Sequence, residues 1–561
     1  MTNPAVKIVI LALFLVLPLR GEPQAFPPAE TTVKNDVDHW GLGFADQFDT
    51  FTDRFQKFSE KTGKKSPDYL LGVESPLRKT FKNKYWFKGQ VATEVQLYAG
   101  RNESEAFQLA VLPKTGFVLN NIKIAASSLK ATGGKNEIPA QSFTLSRVGF
   151  VRTVQPPYPT CHVGEWPDPL LELAPFSLGG LDLGLVWCEI KIPRDTPPGD
   201  YLGTLTVTAS NARPQTLTIK LHVWNFTLPN RVPFPTMAWI AGKMDSKEYL
   251  ETCRLFLAHH VDPISVGQTT DLNLLDKNLE FCISRGLMRF QTPDLSKFED
   301  FRPYYDHLKK KGWLDKALIY GGFDEPPAKI FYDQVVPRTA MIRQEFPGLS
   351  VFLASQYYDN MGQGSDLWMT DLSTNFLSWL KAGRPGTQQL WWYFCHLPIH
   401  VDLEQPLVNA PNMLIDNDAV EHRLPYWMAG QYGVKGIFIY AGNHAWPNGI
   451  EVWPKQQPLP LTDKKYDFPY GGIHNGNGFL IYPGPRPSLR LKNLRDGIED
   501  YWYLARLREL AASGPCHVEA QSLLNGLSPA IYVDPHYFNR DPDAILACRQ
   551  KIGELIEKAN P

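Results

Sequence analysis

No two of the seven cysteines, at positions 161, 188, 253, 282, 395, 516 and 548, form a Cys-x-x-Cys pair. That spacing excludes a zinc ribbon and a thioredoxin-like redox site. Cys516 and Cys548 could join two C-terminal helices, but an odd count leaves a thiol over and no disulfide is assigned. Histidines at metal-ligand spacing are missing too. His396 and His400 are four apart, yet Pro398 between them breaks the helix such a pair needs, and His259-His260 reads as a helix end. No metal and no cofactor is expected. Excess charge of either sign is also lacking: 57 basic and 58 acidic residues leave a net charge of -1, no field to gather nucleic acid or anionic lipid. Nucleic acid is therefore not expected as a partner. The N-terminal apolar run from Ile8 to Leu17, between Lys7 and Pro18, is too short to span a bilayer. It reads as a secretory signal over residues 1–25, cut between Gly21 and Ala25, which places the mature chain outside the cytoplasm, secreted or periplasmic. The small-x-small pattern before the cut is poor, so an uncleaved N-terminal anchor stays open as the one membrane attachment, and the oligomeric state is not legible.

Aromatic residues and proline are abundant: 12% of the chain is Phe, Trp or Tyr, with 15 Trp and 47 Pro. At 561 residues the chain suits two to four domains. Residues 26–85 mix Pro, Lys and Asp without a clean period and read as an irregular arm. Over 86–229 the pattern becomes short alternating runs such as Val91 to Tyr98, Leu185 to Ile192 and Thr216 to Val223, the mark of an antiparallel β-sandwich. Such a sandwich either binds carbohydrate or packs against the next domain. Over 230–512 strand-like and helical runs alternate, with eight strand candidates beginning at Thr236, Pro263, Met288, Ala317, Ser350, Leu367, Gln389 and Gly436. Eight βα units in this length predict a (β/α)8 TIM-like barrel, an α/β fold, preceded by the sandwich. Residues 513–561 read as a helical C-terminal segment without visible chemistry.

The barrel reading gives meaning to Ala317-Leu318-Ile319-Tyr320-Gly321-Gly322-Phe323-Asp324-Glu325-Pro326-Pro327. Leu318 to Tyr320 suits a buried strand, while two prolines cannot continue a ladder. Asp324 and Glu325 thus fall at the C-terminal end of the fourth strand, the rim on which barrel enzymes build their sites. The plain alternative is a solvated loop before a helix. At the other strand ends stand Trp239, Tyr357-Tyr358, Asp371, Trp392-Tyr393, Tyr440 with Asn443, and Trp446. Rings that stack on sugar C–H faces, with carboxylates and amides for the hydroxyls, would suit a glycan substrate. Core packing is the competing explanation for each of them.

Six stretches resemble glycoside hydrolase family 123, the β-N-acetylgalactosaminidases, and its relatives with a sandwich and a barrel: Arg101 to Gln108 (RNESEAFQ), Trp166 to Leu171, Ile192-Pro193 to Gly203, Asp324-Glu325-Pro326, Trp391-Trp392-Tyr393, and Leu494 to Tyr501 (LRDGIEDY). The last is the most specific. It also reads as a structural helix, with a stripe of Leu494, Ile498, Tyr501 and Ala505 and an Arg495–Glu499 pair at i, i+4. The resemblance implies that the adjacent acids do the chemistry, with Glu325 as general acid and then base, a role that requires a raised pKa. Asp324 would orient the 2-acetamido group of the substrate, which attacks as the nucleophile through an oxazolinium-like intermediate. The implied reaction is retaining hydrolysis of a terminal β-linked 2-acetamido sugar, N-acetylgalactosamine first among them. Trp392, Tyr393 and Tyr440 are the candidates to box the acetamido group, and Asp371 and Asn443 to bind hydroxyls. Two alternatives remain at this stage: a glycosidase on sugars without the acetamido group, with Asp371 as second carboxylate, or a non-catalytic glycan-binding surface protein.

Overall fold

The computed structural model describes residues 54–560 except 62, 64–66, 83–86, 154, 157, 159, 180–181, 295–296, 373, 384–388, 396–409 and 445–473. The N-terminal half is a sandwich of two sheets. One has six strands in the order Gln90–Val91, Tyr69–Glu74, Ser104–Pro113, Gly184–Lys191, Phe143–Arg152, Glu165–Glu172, all antiparallel. The other runs Phe176–Leu178, Leu119–Ala126, Gly199–Ala209, Ala212–Thr227, Glu94–Arg101, and its last pair is parallel. Leu217, Ile219, Leu221 and Val223 alternate inward and meet Leu109, Val111, Val186 and Cys188 across the interface. That period-two burial is the predicted pattern. The strand Tyr69–Glu74 corrects one expectation. It lies in the stretch read as an irregular arm, yet it pairs residue by residue with Ser104–Pro113. Its run YLLGV is apolar throughout because both faces of this sheet are covered, so alternation gives no signal.

The C-terminal half is a barrel of eight parallel strands: β1 (Thr236–Ala238), β2 (Val261–Pro263), β3 (Phe290–Gln291), β4 (Ala317–Tyr320), β5 (Ser350–Ala354), β6 (Leu367–Thr370), β7 (Gln389–Phe394) and β8 (Ile437–Ile439). Neighbours pair in the order β2-β1-β8-β7-β6-β5-β4-β3, leaving one seam between β2 and β3. At that seam a 3-10 turn over Ile264–Gly267, read from sequence as strand, packs Gly267 against Phe290. A Cβ at Gly267 would stand 2.3 Å from the Phe290 ring, so only glycine closes the wall there. Lumen-facing Met237, Leu318, Phe352, Met369, Trp391 and Tyr393 form one cluster. Their outward neighbours Ile319, Val351, Leu353, Trp368, Trp392 and Ile437 join the larger core beneath the helices.

Helices α1 (Lys247–Ala258), α2 (Leu272–Ile283), α3 (Phe298–Lys311), α4 (Val336–Glu345), α5 (Thr374–Lys381) and α6 (Leu424–Tyr432) surround the barrel. Ser246 and Asp271 cap α1 and α2 by accepting backbone N–H bonds from Tyr249 and from Asn273 and Leu274. The long α7 (Leu489–Ala512) wedges between barrel and sandwich, followed by α8 (His517–Ala530) and α9 (Pro542–Ala559). None of the described helices is long and apolar enough to cross a membrane. The seven cysteines are unbridged.

Candidate active site

Strand β4 ends at Tyr320, and the chain then turns through Gly321 and Gly322 to reach Asp324 and Glu325. Gly321 donates its N–H to the Phe352 carbonyl at 3.0 Å, and Glu325 donates to the Ala354 carbonyl at 3.2 Å, so β5 holds both ends of the loop. Gly322 has φ +95°, and a Cβ there would lie 2.8 Å from Arg338 Nε. Glu325 itself has φ 43°, a left-handed conformation that costs a non-glycine residue about 1 kcal/mol or more. The two bonds to β5 hold the acid in this conformation at the rim, where both Asp324 and Glu325 are exposed.

Each carboxylate has its own tyrosine from the lumen. The Tyr320 hydroxyl donates to Asp324 Oδ1 at 3.0 Å, and the Tyr393 hydroxyl donates to Glu325 Oε1. Burial, then the Asp324 charge, pushes the Tyr320 phenol well above its ordinary range. Burial, then Asp371, Cys395 and Glu325, does the same to Tyr393. Both phenols therefore stay protonated donors at any working pH. Asp371 follows β6, is 2% exposed, and its charge bears on Tyr393. Trp239 donates from Nε1 to Gln268 at 3.1 Å and meets His444 edge-on at 4.7 Å. His444 also stands edge-on to Tyr440 at 6.0 Å. Trp239, His444 and Tyr440 thus form one aromatic group past the ends of β1 and β8.

Four sequence candidates are engaged within the protein. Trp392 is fully buried outside the barrel wall, against Phe376 at 5.4 Å and Tyr432 at 5.9 Å, because strand parity sends it opposite to Tyr393. Asn443 bonds both ways to the backbone of Ala241, at 2.7 and 2.9 Å, so its amide joins two loops. Tyr358 gives its hydroxyl to the Pro326 carbonyl at 2.6 Å and stacks on Phe331, bracing the acidic loop from behind. Tyr357 is half-buried against Trp368 at 5.5 Å. Trp446 lies outside the described residues. Three rim residues escaped the sequence reading. Tyr320 was detectable, since it shares the parity of Leu318 and so points into the lumen. Asp294, whose charge reaches Tyr320 and Arg338, and His444 carry no local signal. Among the described residues no group of three or more His, Cys, Asp or Glu could hold a metal ion.

Two family models match the chain. The glycoside hydrolase 123 catalytic domain covers residues 298–507, and the glycoside hydrolase 123 N-terminal domain covers residues 79–209. Among solved structures, a family 123 glycoside hydrolase from Clostridium perfringens superposes with a TM-score of 0.63 at 14% identity, over 87% of this chain and 97% of that one. A family 39 glycoside hydrolase from Bacteroides cellulosilyticus covers 72% of this chain and 81% of its own at 11% identity, with a TM-score of only 0.30. A search of curated proteins gave no match. With an N-terminal sandwich, an acid pair at the end of β4 and both domain models in sequence order, the chain belongs to glycoside hydrolase family 123.

Proposed function

We propose that the protein is a retaining exo-glycosidase that removes terminal β-linked 2-acetamido sugars, N-acetylgalactosamine first among them, with the substrate's acetamido oxygen as nucleophile. The observation that carries this reading is the position of Asp324 and Glu325 on consecutive residues of one loop, each held by its own lumen tyrosine. Consecutive Cα atoms are about 3.8 Å apart. A nucleophile and an acid that work across a sugar stand about 5 to 5.5 Å apart on opposite sides of the scissile bond. Neighbours on one strand end do not flank a ring in that way, so the second catalytic group is the one the substrate brings.

In the first step Glu325 gives its proton to the glycosidic oxygen while the acetamido carbonyl oxygen bonds to C1, breaking the C1–O bond and forming an oxazolinium ion. Asp324 accepts the acetamido N–H and balances the positive charge on the ring. In the second step Glu325 takes a proton from water, whose oxygen attacks C1 and reopens the ring with net retention. Tyr320 and Tyr393 keep the two carboxylates aimed, and Trp239 and Tyr440 supply the walls on which the sugar stacks. The alternative with Asp371 as second carboxylate is weaker, because that residue is 2% exposed beside Tyr393. The N-terminal signal would deliver the enzyme to glycans outside the cytoplasm.

The test compares wild type with Glu325→Gln and Asp324→Asn on an aryl 2-acetamido-β-galactoside and on the plain aryl β-galactoside. Wild type should turn over only the first, and each variant should lose about 100- to 10,000-fold in kcat, the usual contribution of a positioned acid-base group. Unchanged rates in either variant would sink the mechanism. Turnover of the plain galactoside would favour the Asp371 scheme, and no turnover of any glycoside a binding protein.

A further inference from the structure

A cleft of the described residues lies away from the barrel rim. It has a volume of about 520 Å³ and opens where the edge strands of the two sandwich sheets, Gln90–Val91 and Glu94–Arg101, part company over α9. We propose that this cleft is a second carbohydrate site, one that binds a neutral oligosaccharide segment and holds the enzyme on its glycan while the barrel acts on a chain end.

Three features specify that ligand. The first is an aromatic floor: Tyr98, half-buried, lies nearly parallel to the fully buried Trp224, ring centres 6.0 Å apart and planes 22° apart. A backed ring of this kind is a platform for the C–H face of a pyranose. The second is a surround of amides, Gln96 and Gln90 from the strands and Gln550 from α9; Gln96 donates one N–H to the Leu97 carbonyl at 3.2 Å and Gln550 one to Glu554 at 2.7 Å, which leaves each a second N–H and its carbonyl oxygen. Side-chain amides of this kind bond vicinal hydroxyl pairs. The third is charge already spent within the protein. Arg549 gives all its nitrogens to Glu103, Glu105 and Asp500, Arg78 pairs with Glu74 at 3.6 Å, and Glu94 pairs with Lys220 at 2.7 Å. Lys88 and Asp543, also on the lining, are of opposite sign, so the cleft offers no net charge of one sign to an ionic ligand. The volume falls within the range of about 300 to 1,000 Å³ common to small-molecule sites. Asp543, Ala547 and Gln550, spaced by four and three, present one face of α9 to the cleft.

The test is hydrogen exchange on the full-length Glu325→Gln protein, with a neutral β-linked N-acetylgalactosaminyl-galactose tetrasaccharide as probe. Peptides over residues 94–101 and 543–550 should exchange more slowly with the probe, and Tyr98→Ala and Gln550→Ala should each abolish that slowing. In the Glu325-intact background the same two variants should leave kcat and KM on the small aryl glycoside unchanged while raising KM on immobilised glycan. Protection confined to barrel peptides overturns the proposal, as does protection at 94–101 that survives both variants. Stronger protection by a sulfated tetrasaccharide overturns the neutral assignment. The kinetic arm rests on the proposed activity, whereas the exchange arm on Glu325→Gln needs no turnover, so loss of protection at 94–101 and loss of hydrolysis are separate failures.

Discussion

Tyr393 and Trp392 are adjacent, equally apolar in sequence, and opposite in role. Strand β7 sends Trp391 and Tyr393 into the lumen and Trp392 and Phe394 under the helices. Only Tyr393 therefore reaches Glu325, and its hydroxyl stays a donor because burial and nearby Asp371 hold the phenol well above its ordinary range. A hydrogen bond to a charged group is worth about 1.5 to 3 kcal/mol. Tyr393→Phe keeps the ring and deletes that bond. It should lower kcat on the aryl 2-acetamido-β-galactoside by about 10- to 100-fold while KM stays within about threefold, the signature of an interaction that matters most in the transition state. A rise in KM with kcat intact would instead make Tyr393 a binding wall.

The element that organises the site is β4 with the loop and helix that follow. Sequence predicts a helix directly after Pro327. The structure has one turn over Ala328–Ile330, a π-helical stretch over Phe331–Val335, and only then α4. The wide turn puts buried Phe331 under Tyr358, whose hydroxyl holds the Pro326 carbonyl. The acidic loop is thus gripped by β5 through two backbone bonds and by Tyr358 through one. Gly322 is its weak point, with φ +95° and Arg338 Nε 2.8 Å from where a Cβ would stand. Gly322→Ala should cost about 1 to 2 kcal/mol and shift Glu325, so activity should fall by more than the small drop in melting temperature explains. Equal activity per folded molecule would show that the loop tolerates another path. Seven of the eight strand positions and the acid pair were legible because each of these strands is a short apolar run between turn residues, and because Asp-Glu-Pro-Pro ends one of them abruptly; the second strand, Val261–Pro263, was read a few residues late, on the 3-10 turn that follows it. What a residue does at a strand end was less legible. Trp392 required knowledge of parity, while Asn443 and Tyr358 required knowledge of which backbone carbonyl or amide came near, and that depends on loops folding back from other strands.

Across the whole molecule, three of the family-matching stretches bind the two domains together. Asp168 of the Trp166 to Leu171 run bonds Arg490 on α7 at 3.0 Å and accepts from Tyr482 at 2.7 Å. Glu103 of the RNESEAFQ run accepts from Tyr503 at 2.6 Å and pairs with Arg549. Glu189 pairs with Lys492 and Arg495 at 2.9 and 2.8 Å, and Asp500 takes Arg423, Arg549 and Trp427. The predicted Arg495–Glu499 pair is 4.0 Å apart, since Arg495 turns instead to Glu189 and Asp496. Fixing the angle between sandwich and barrel is what these charges do, and buried charges pay for such specificity with desolvation. Glu499 shows the cost. It is 1% exposed and neither carboxyl oxygen has a hydrogen-bond partner among the described residues, so burial lifts it to about 7, against the pull of Arg495 and with the push of Asp496. Glu189 is the reverse case, with the charges of Arg495 and Lys492 overcoming burial and holding it below its ordinary range. The signs follow from proton counts. Between the ordinary carboxyl value of 4.5 and about 7 the folded protein keeps a proton on Glu499 that the unfolded chain releases, so this residue's contribution is full below that window and is lost as pH rises through it. The Glu189 contribution is present above 4.5 and fades only as pH falls below it, which keeps the two effects apart. His260, 3.6 Å from Glu499 and held neutral by burial, changes stability in the opposite sense and is retained in a Glu499→Gln variant. Melting temperature measured from about pH 5 to about pH 7.5 should therefore fall more steeply in wild type than in Glu499→Gln, the variant losing the downward term and little else. Parallel curves would mean that Glu499 is already ionised at pH 5 and that a partner outside its hydrogen-bonding shell carries its charge.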